Sequence, residues 1–386
     1  MIYLDYAATT PVDKRVSERI HQVLTTEFAN PSSVYQAGKH QKHQLNQARN
    51  QLKQLLNAVD YDAYFTSGAT ESNNWAILSQ AMKARSLNLG NHIVATAVEH
   101  PSVNSVLAYL ETQGFEVTYL APKKERFSAE QFIQASRKET IGWVAMWVNN
   151  ELGTRLPIEA IGAAAREYVH WFHVDAVQAL GYSMVDLSTI AVTSLSGSGH
   201  KFYAPKGIGF LLYQPWNPAL TLSPLLHGGG QESGLRSGTE NVPYILGMVH
   251  ALELTKESDW QHSQDLSDYL FERLNALKIP YQRNGKDTVP YIISLYFSDL
   301  LASQLLIQLD LAGIAVSAGS ACSAGSLEVS HVLKAYYPNE EARHHQTIRI
   351  SLGRDTTKAD INALVETINE LQERKQTLWH SQQKQL

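Results

Sequence analysis

The sequence predicts an α/β protein: a large domain built on a mostly parallel sheet flanked by helices, plus a smaller α+β domain. Two patterns carry this. Over the first two thirds of the chain, short apolar runs alternate with helical stretches, as βαβ units require. Over the last third the strict alternation stops. Size agrees: 386 residues with 44% hydrophobic content supply a large buried core and two domains.

In chain order, residues 64–66 read as a strand running into Ser67-Gly68-Ala69-Thr70. Residues 92–97 predict a strand and 102–112 a helix. Residues 117–120 and 141–148 read as buried strands. An alanine-rich helix is expected over 157–169, a short strand over 171–174 and a small-residue strand over 191–198. Beyond these, 259–277 predicts one long helix, 290–297 a strand, 303–310 a short helix and 348–352 a strand. Ile361, Leu364, Ile368 and Leu371 recur at helical spacing, so 358–378 should be an amphipathic helix. The boundary is placed near residue 256. The large domain is expected over 13–256, and the smaller over 1–12 with 257–386, carrying a loop at about 316–327.

Charge and composition exclude several classes. The net charge is -5 without a long run of either sign, which gives no electrostatic reason for direct nucleic-acid or membrane binding. The first eleven residues lack the basic start and apolar stretch of a signal peptide. No apolar run reaches transmembrane length. The single cysteine excludes an intrachain disulfide framework and a multi-cysteine metal site, and no metal is expected. A cytoplasmic protein is the simplest expectation.

Polar residues gather at predicted strand ends. Lys201, in Ser198-Gly199-His200-Lys201, could be an ordinary surface lysine, and the glycine spacing of a P-loop is absent. Asp175 closes the strand in His173-Val174-Asp175-Ala176-Val177-Gln178. It could be a helix cap. Open α/β sheets also place ligands there. Paired with a lysine that binds a pyridine aldehyde, such a carboxylate keeps the ring nitrogen protonated, and Gln178 could reach the ring oxygen. Thr66-Ser67-Gly68-Ala69-Thr70 joins a strand to a helix, where free N–H groups attract phosphate; Thr70 and Ser198 add hydroxyls. His100 ends another strand and could cover a ring and move protons. Asn149-Asn150-Glu151-Leu152-Gly153 ends a further strand. This convergence is more informative than any single motif. Cys322 lies in Ala318-Gly319-Ser320-Ala321-Cys322-Ser323-Ala324-Gly325, among small residues that give it nothing bulky to pack against. A reactive thiol on a mobile loop is therefore favoured over a buried structural one.

At these residues the chain resembles the cysteine desulfurases, within the class V aminotransferase group of fold-type-I pyridoxal-phosphate enzymes. The likeness also includes Tyr3-Leu4-Asp5-Tyr6-Ala7-Ala8-Thr9-Thr10-Pro11, residues 227–241 and Ile348-Arg349-Ile350-Ser351-Leu352-Gly353. The resemblance implies pyridoxal 5'-phosphate attached to Lys201. Asp175 would face the ring nitrogen, Gln178 the ring oxygen, His100 the ring face, and Asn150 would lie beside it. Ala69, Thr70, Ser198 and His200 would bind the phosphate, joined by Thr239 from the second subunit of a homodimer. Arg349 would grip the substrate carboxylate, with Asn30 nearby. Lys201, His100 and Cys322 would be catalytic. Ser233, Arg155 and Leu156 depart from the family pattern without touching this chemistry. The implied reaction takes sulfur from L-cysteine, leaves L-alanine and loads Cys322 with a persulfide. An acceptor protein then takes the sulfur, for iron–sulfur cluster assembly or tRNA thiolation. A selenocysteine lyase, an aminotransferase or β-lyase, and a non-catalytic sulfur-trafficking scaffold are the alternatives.

Overall fold

The computed structural model describes residues 1–182, 185–319 and 329–383. Cys322 and residues 320–327 of the expected loop lie outside them. The strands are β1 (Ile2–Tyr3), β2 (Asp62–Thr66), β3 (His92–Thr96), β4 (Glu116–Leu120), β5 (Thr140–Met146) and β6 (Trp171–Asp175). They continue with β7 (Ser194–Ser198), β8 (Gly209–Tyr213), β9 (Gln282–Arg283), β10 (Ile292–Tyr296), β11 (Ile314–Ala315) and β12 (Thr347–Ser351).

Seven of them form the central sheet in the order β2-β8-β7-β6-β5-β3-β4, with β8 alone running against the rest. Strands β3, β5, β6, β7 and β8 are buried at every residue. Helices cover both faces of such a sheet, so its strands need not alternate polar and apolar. Strand β4 departs from expectation. It reads as a buried strand, but it is half-exposed because it is the sheet edge and pairs only with β3.

Parallel strands bring their carboxyl ends to one edge. Thr66, Asp175 and Ser198 end β2, β6 and β7 there, and the chain leaving β3 and β5 reaches His100 and Asn150. The antiparallel β8 instead contributes its amino end, Gly209, paired with both Thr66 and Ser198. A Cβ on Gly209 would sit 2.6 Å from Gly68 Cα and 2.6 Å from the Gly197 carbonyl. Gly68 has φ +154° and opens the helix Ala69–Ser86, so glycine at 209 lets that turn lie flat on the sheet.

Among the helices that the sequence reading did not assign, Lys14–Thr26 and Val242–Glu253 pack on each other. Their contact needs Gly247, where a Cβ would meet Ile20 Cδ1 at 2.6 Å. Elsewhere, β12, β10 and β9 form an antiparallel sheet, and β1 pairs in parallel with β11. One core joins the central sheet to Tyr291, Val332 and Tyr336. A second gathers Leu4 with Leu270, Ile293, Leu309, Ile350 and Ile368.

Gly209→Ala should overpack this turn and lower stability by about 1–3 kcal/mol. A thermal melt checks it; an unchanged midpoint would show that the turn does not bear on β8.

Candidate active site

The strand ends enclose a cavity of about 390 Å³. Ala69, Thr70, His100, Asn150, Asp175, Gln178, Ser198, His200, Lys201 and Arg349 all line it. Asn30 and Thr239 do not. Asn30 is exposed, its side chain accepting the Ser32 N–H at 2.9 Å. Thr239 is exposed and borders a smaller cleft of about 140 Å³, which shares Ser67 and Gly207 with the main cavity. Among the described residues a larger cleft of about 520 Å³, beside Arg126, Trp260 and Asp287, holds none of the expected residues.

Asp175 forms part of the cavity wall. It is 5% exposed, and a buried carboxylate needs donors. Its Oδ1 accepts the Val177 N–H at 3.0 Å, which is the capping role considered above. Its Oδ2 accepts Asn73 Nδ2 at 2.9 Å. The second Asn73 amide hydrogen goes to Ser102 Oγ, also 2.9 Å. Asn73 Oδ1 must then accept, and His173 Nε2 lies 2.9 Å away. His173 Nδ1 faces Ser194 Oγ at 2.8 Å, and that oxygen accepts Gln80 Nε2 at 2.9 Å. Every donor in the chain from Gln80 thus points toward Asp175. Burial pushes the His173 pKa down to about 3, so it stays neutral in this role. Asn73 and His173, which motif reading passed over, are the residues that support Asp175. A histidine and serines inside fully buried strands were the available signal, because buried polar groups need partners.

Asn73 also reaches His100 through Ser102. His100 Nδ1 accepts the Ser102 N–H at 3.1 Å and faces Ser102 Oγ at 2.8 Å. Nδ1 is therefore unprotonated, and Nε2 carries the hydrogen. Burial lowers the His100 pKa, opposed by Asp175 and reinforced by Lys201.

At one end, the N-terminus of Ala69–Ser86 presents free N–H groups beside Ser198 and His200. Burial, then the charge of Lys201, pushes the His200 pKa down to about 4. Lys201 follows in a single 3-10 turn, Gly199–Lys201, at the end of β7. Its Nζ donates to the carbonyls of Ala7 (2.6 Å) and Ala8 (2.8 Å), and Gln178 Nε2 also donates to Ala7 O, at 3.0 Å. Thr10 fixes that N-terminal stretch, its N–H donating to His200 O (2.8 Å) and its Oγ1 accepting the Tyr203 N–H (2.7 Å).

At the other end, Arg349 is 2% exposed on β12. Its guanidinium donates to Asp5 Oδ1 at 2.7 Å and to the Asn150 carbonyl at 2.8 Å. Glu151, buried beside it, accepts Ser330 Oγ at 2.5 Å, and burial raises its pKa. The cavity thus offers an anion cradle, a buried carboxylate for a protonated ring nitrogen, a primary amine for a carbonyl, and a guanidinium for a carboxylate.

Glu99, beside His100, is fully buried. Its Oε1 accepts the Met146 N–H (2.7 Å) and Thr96 Oγ1 (2.5 Å), while Oε2 has no hydrogen-bond partner among the described residues. Burial pushes its pKa up to about 8. The folded protein holds this proton while the unfolded chain releases it near pH 4.5, so Glu99 costs increasing stability as pH rises from 4.5 to 8. Glu99→Gln keeps the shape and removes that slope. Denaturation at pH 5 and pH 8 should show the variant gaining about 2–4 kcal/mol on the parent across the interval. A constant difference would mean that Glu99 ionises normally.

The family model for class V aminotransferases matches residues 2–364. A protein of Methanosarcina thermophila described as cysteine desulfurase IscS is 42% identical over 378 residues, covering 96% of this chain and 91% of that one. Among solved structures, a NifS-like protein superposes with TM-score 0.87 at 30% identity, covering 96% of this chain and 99% of that one. SspA in complex with cysteine gives TM-score 0.80 at 36% identity, covering 92% and 100%. Near full-length similarity of this kind, over a cavity built from the strand ends, leads to one assignment: the chain belongs to the class V aminotransferase family, among its cysteine desulfurases.

Proposed function

We propose that the protein takes the sulfur of free L-cysteine, releases L-alanine and carries the sulfur on Cys322 for delivery to an acceptor protein, serving iron–sulfur cluster assembly or tRNA thiolation. The observation that carries this reading is the convergence of Asp175, Lys201, His100 and Arg349 on one cavity. The relative named above as a cysteine desulfurase supports the same chemistry, as does the likeness to SspA, solved in complex with cysteine.

The residues fit pyridoxal 5'-phosphate. Gly68 and the helix start behind it form a cradle for a phosphate, with Ala69, Thr70, Ser198 and His200 as donors. Every donor in the chain that ends at Asp175 supports its ionised form, which suits a protonated ring nitrogen. Gln178 would serve the ring oxygen, and His100 and Asn150 would flank the ring. Bound there, the cofactor would supply a carbonyl for the substrate amine and an electron-withdrawing ring for the carbanion formed at the substrate Cα.

This chain's residues do the rest. Arg349 holds the α-carboxylate, and Asn30 is read as its neighbour. Lys201 Nζ takes the α-proton; it sits in the cavity, oriented by the Ala7 and Ala8 carbonyls. His100 Nε2–H faces proton transfers from a neutral ring, its tautomer set by Ser102. The Cys322 thiolate attacks the substrate sulfur, the Cβ–S bond breaks, Cβ takes up a proton, and a proton is returned to Cα. Cysteine plus a thiol thereby gives alanine plus a persulfide, with atoms balanced. We read 13–256 as the large domain, with 1–12 and 257–386 as the smaller. We also read the active form as a cytoplasmic homodimer in which Thr239 of one copy serves the phosphate of the other.

Lys201→Ala should abolish covalent attachment of the cofactor. Borohydride reduction and peptide mapping should label Lys201 in the parent, and a label on Lys206 would refute the assignment. Cys322→Ser should still bind L-cysteine with a colour change but lose alanine release by at least about a hundredfold. Normal turnover by that variant would instead point to a lyase or an aminotransferase.

A further inference from the structure

We infer that Asp5 is a positioning residue of the substrate site: it fixes the Arg349 guanidinium so that its remaining N–H groups meet the substrate carboxylate. The inference rests on the reading of Arg349 proposed above.

Asp5 does not line the cavity and acts from behind it. Arg349 donates through Nη2 to Asp5 Oδ1 at 2.7 Å and through Nη1 to the Asn150 carbonyl at 2.8 Å. A guanidinium carries five N–H bonds, so two are spent on holding it and three remain. One of these is Nε–H, which is buried with no hydrogen-bond partner among the described residues. The plane of the fork is set by its two anchors before any ligand arrives.

Asp5 is itself held. Its Oδ2 accepts Ser317 Oγ at 2.9 Å, and Ser317 pairs with Arg349 through backbone bonds of 2.6 and 3.1 Å. Side chains and backbone therefore close a circuit through Arg349, Ser317 and Asp5. The Asp5 backbone bridges Ser351, two residues beyond Arg349 on the same strand face. The Ser351 N–H donates to Leu4 O at 2.8 Å, and the Ala7 N–H to Ser351 Oγ at 2.9 Å. These bonds do not use the Asp5 side chain, so its truncation leaves the segment in place.

Two effects of removing Asp5 oppose each other. Losing its negative charge relieves repulsion toward an incoming carboxylate. Losing its oxygen releases a long side chain with many rotamers, which must then be ordered when the substrate binds. The guanidinium lies between the two carboxylates and screens the repulsion, so positioning dominates.

The test uses the pyridoxal-phosphate-loaded enzyme and compares L-cysteine with cysteamine, which has the amine and thiol but no carboxylate. Asp5→Ala should raise KM for L-cysteine about tenfold with kcat within about threefold, and leave cysteamine affinity, read by absorbance, within about twofold. Asp5→Asn keeps the acceptor oxygen and should return KM to within about threefold of the parent. If Asp5→Ala does not fold, Asp5→Ser, too short to make the bond, reads the same split. Equal weakening of both ligands, or an unchanged or lowered KM in Asp5→Ala, overturns the inference. Arg349→Ala separates the two levels. If it raises the KM for L-cysteine while Asp5→Ala is silent, only the role of Asp5 fails. If it too spares L-cysteine, the carboxylate reading of Arg349 fails, and this inference fails with it.

Discussion

The buried carboxylate of Asp175 is the constraint around which the site is built. An ionised group at the end of a fully buried strand is costly unless donors surround it. Here they come from a backbone N–H two residues on and from Asn73, whose other bonds orient His173 and Ser102. Because one amide serves both Asp175 and Ser102, the charge of the carboxylate and the tautomer of His100 are set together. His173 inside β6 and Ser194 inside β7 are the cost of this arrangement, and each has a partner that makes it tolerable.

The N-terminal ten residues tie the two cores together at the cavity. Leu4 belongs to the second core and Ala7 to the first. Between them, the carbonyls of Ala7 and Ala8 hold Lys201 at one side of the cavity while Asp5 holds Arg349 at the other. A short stretch of backbone thus sets the distance between the amine and the guanidinium, the two groups that would meet the cofactor and the substrate carboxylate. Preorganisation of this kind lowers the ordering cost at binding.

Much of this was legible in the sequence, for a physical reason. Strand ends of a parallel sheet converge, so Ser67-Gly68, His100, Asn150, Asp175 and Lys201 could be assigned to one edge before any coordinates. The antiparallel β8 was not legible, because an apolar run does not reveal its direction, nor was the exposure of β4, since edge position is a property of the whole sheet. Asn73 stood just beyond a quoted motif, and Asp5 stood in one without a role. Their partners, Asp175 and Arg349, lie 102 and 344 residues away, and no local pattern encodes such pairings. Asn30 and Thr239 came from resemblance alone, and in a single chain they stand apart from the cavity.

The central claim is that the lone cysteine accepts sulfur from the substrate. Its most direct measurement is the mass of the peptide containing Cys322 after the loaded enzyme meets L-cysteine without reductant. The account predicts the added mass of one sulfur atom on that peptide, removed by a thiol reductant and absent when Arg349 or Lys201 is replaced by alanine. An unmodified Cys322 in enzyme that has released a stoichiometric amount of alanine would contradict it.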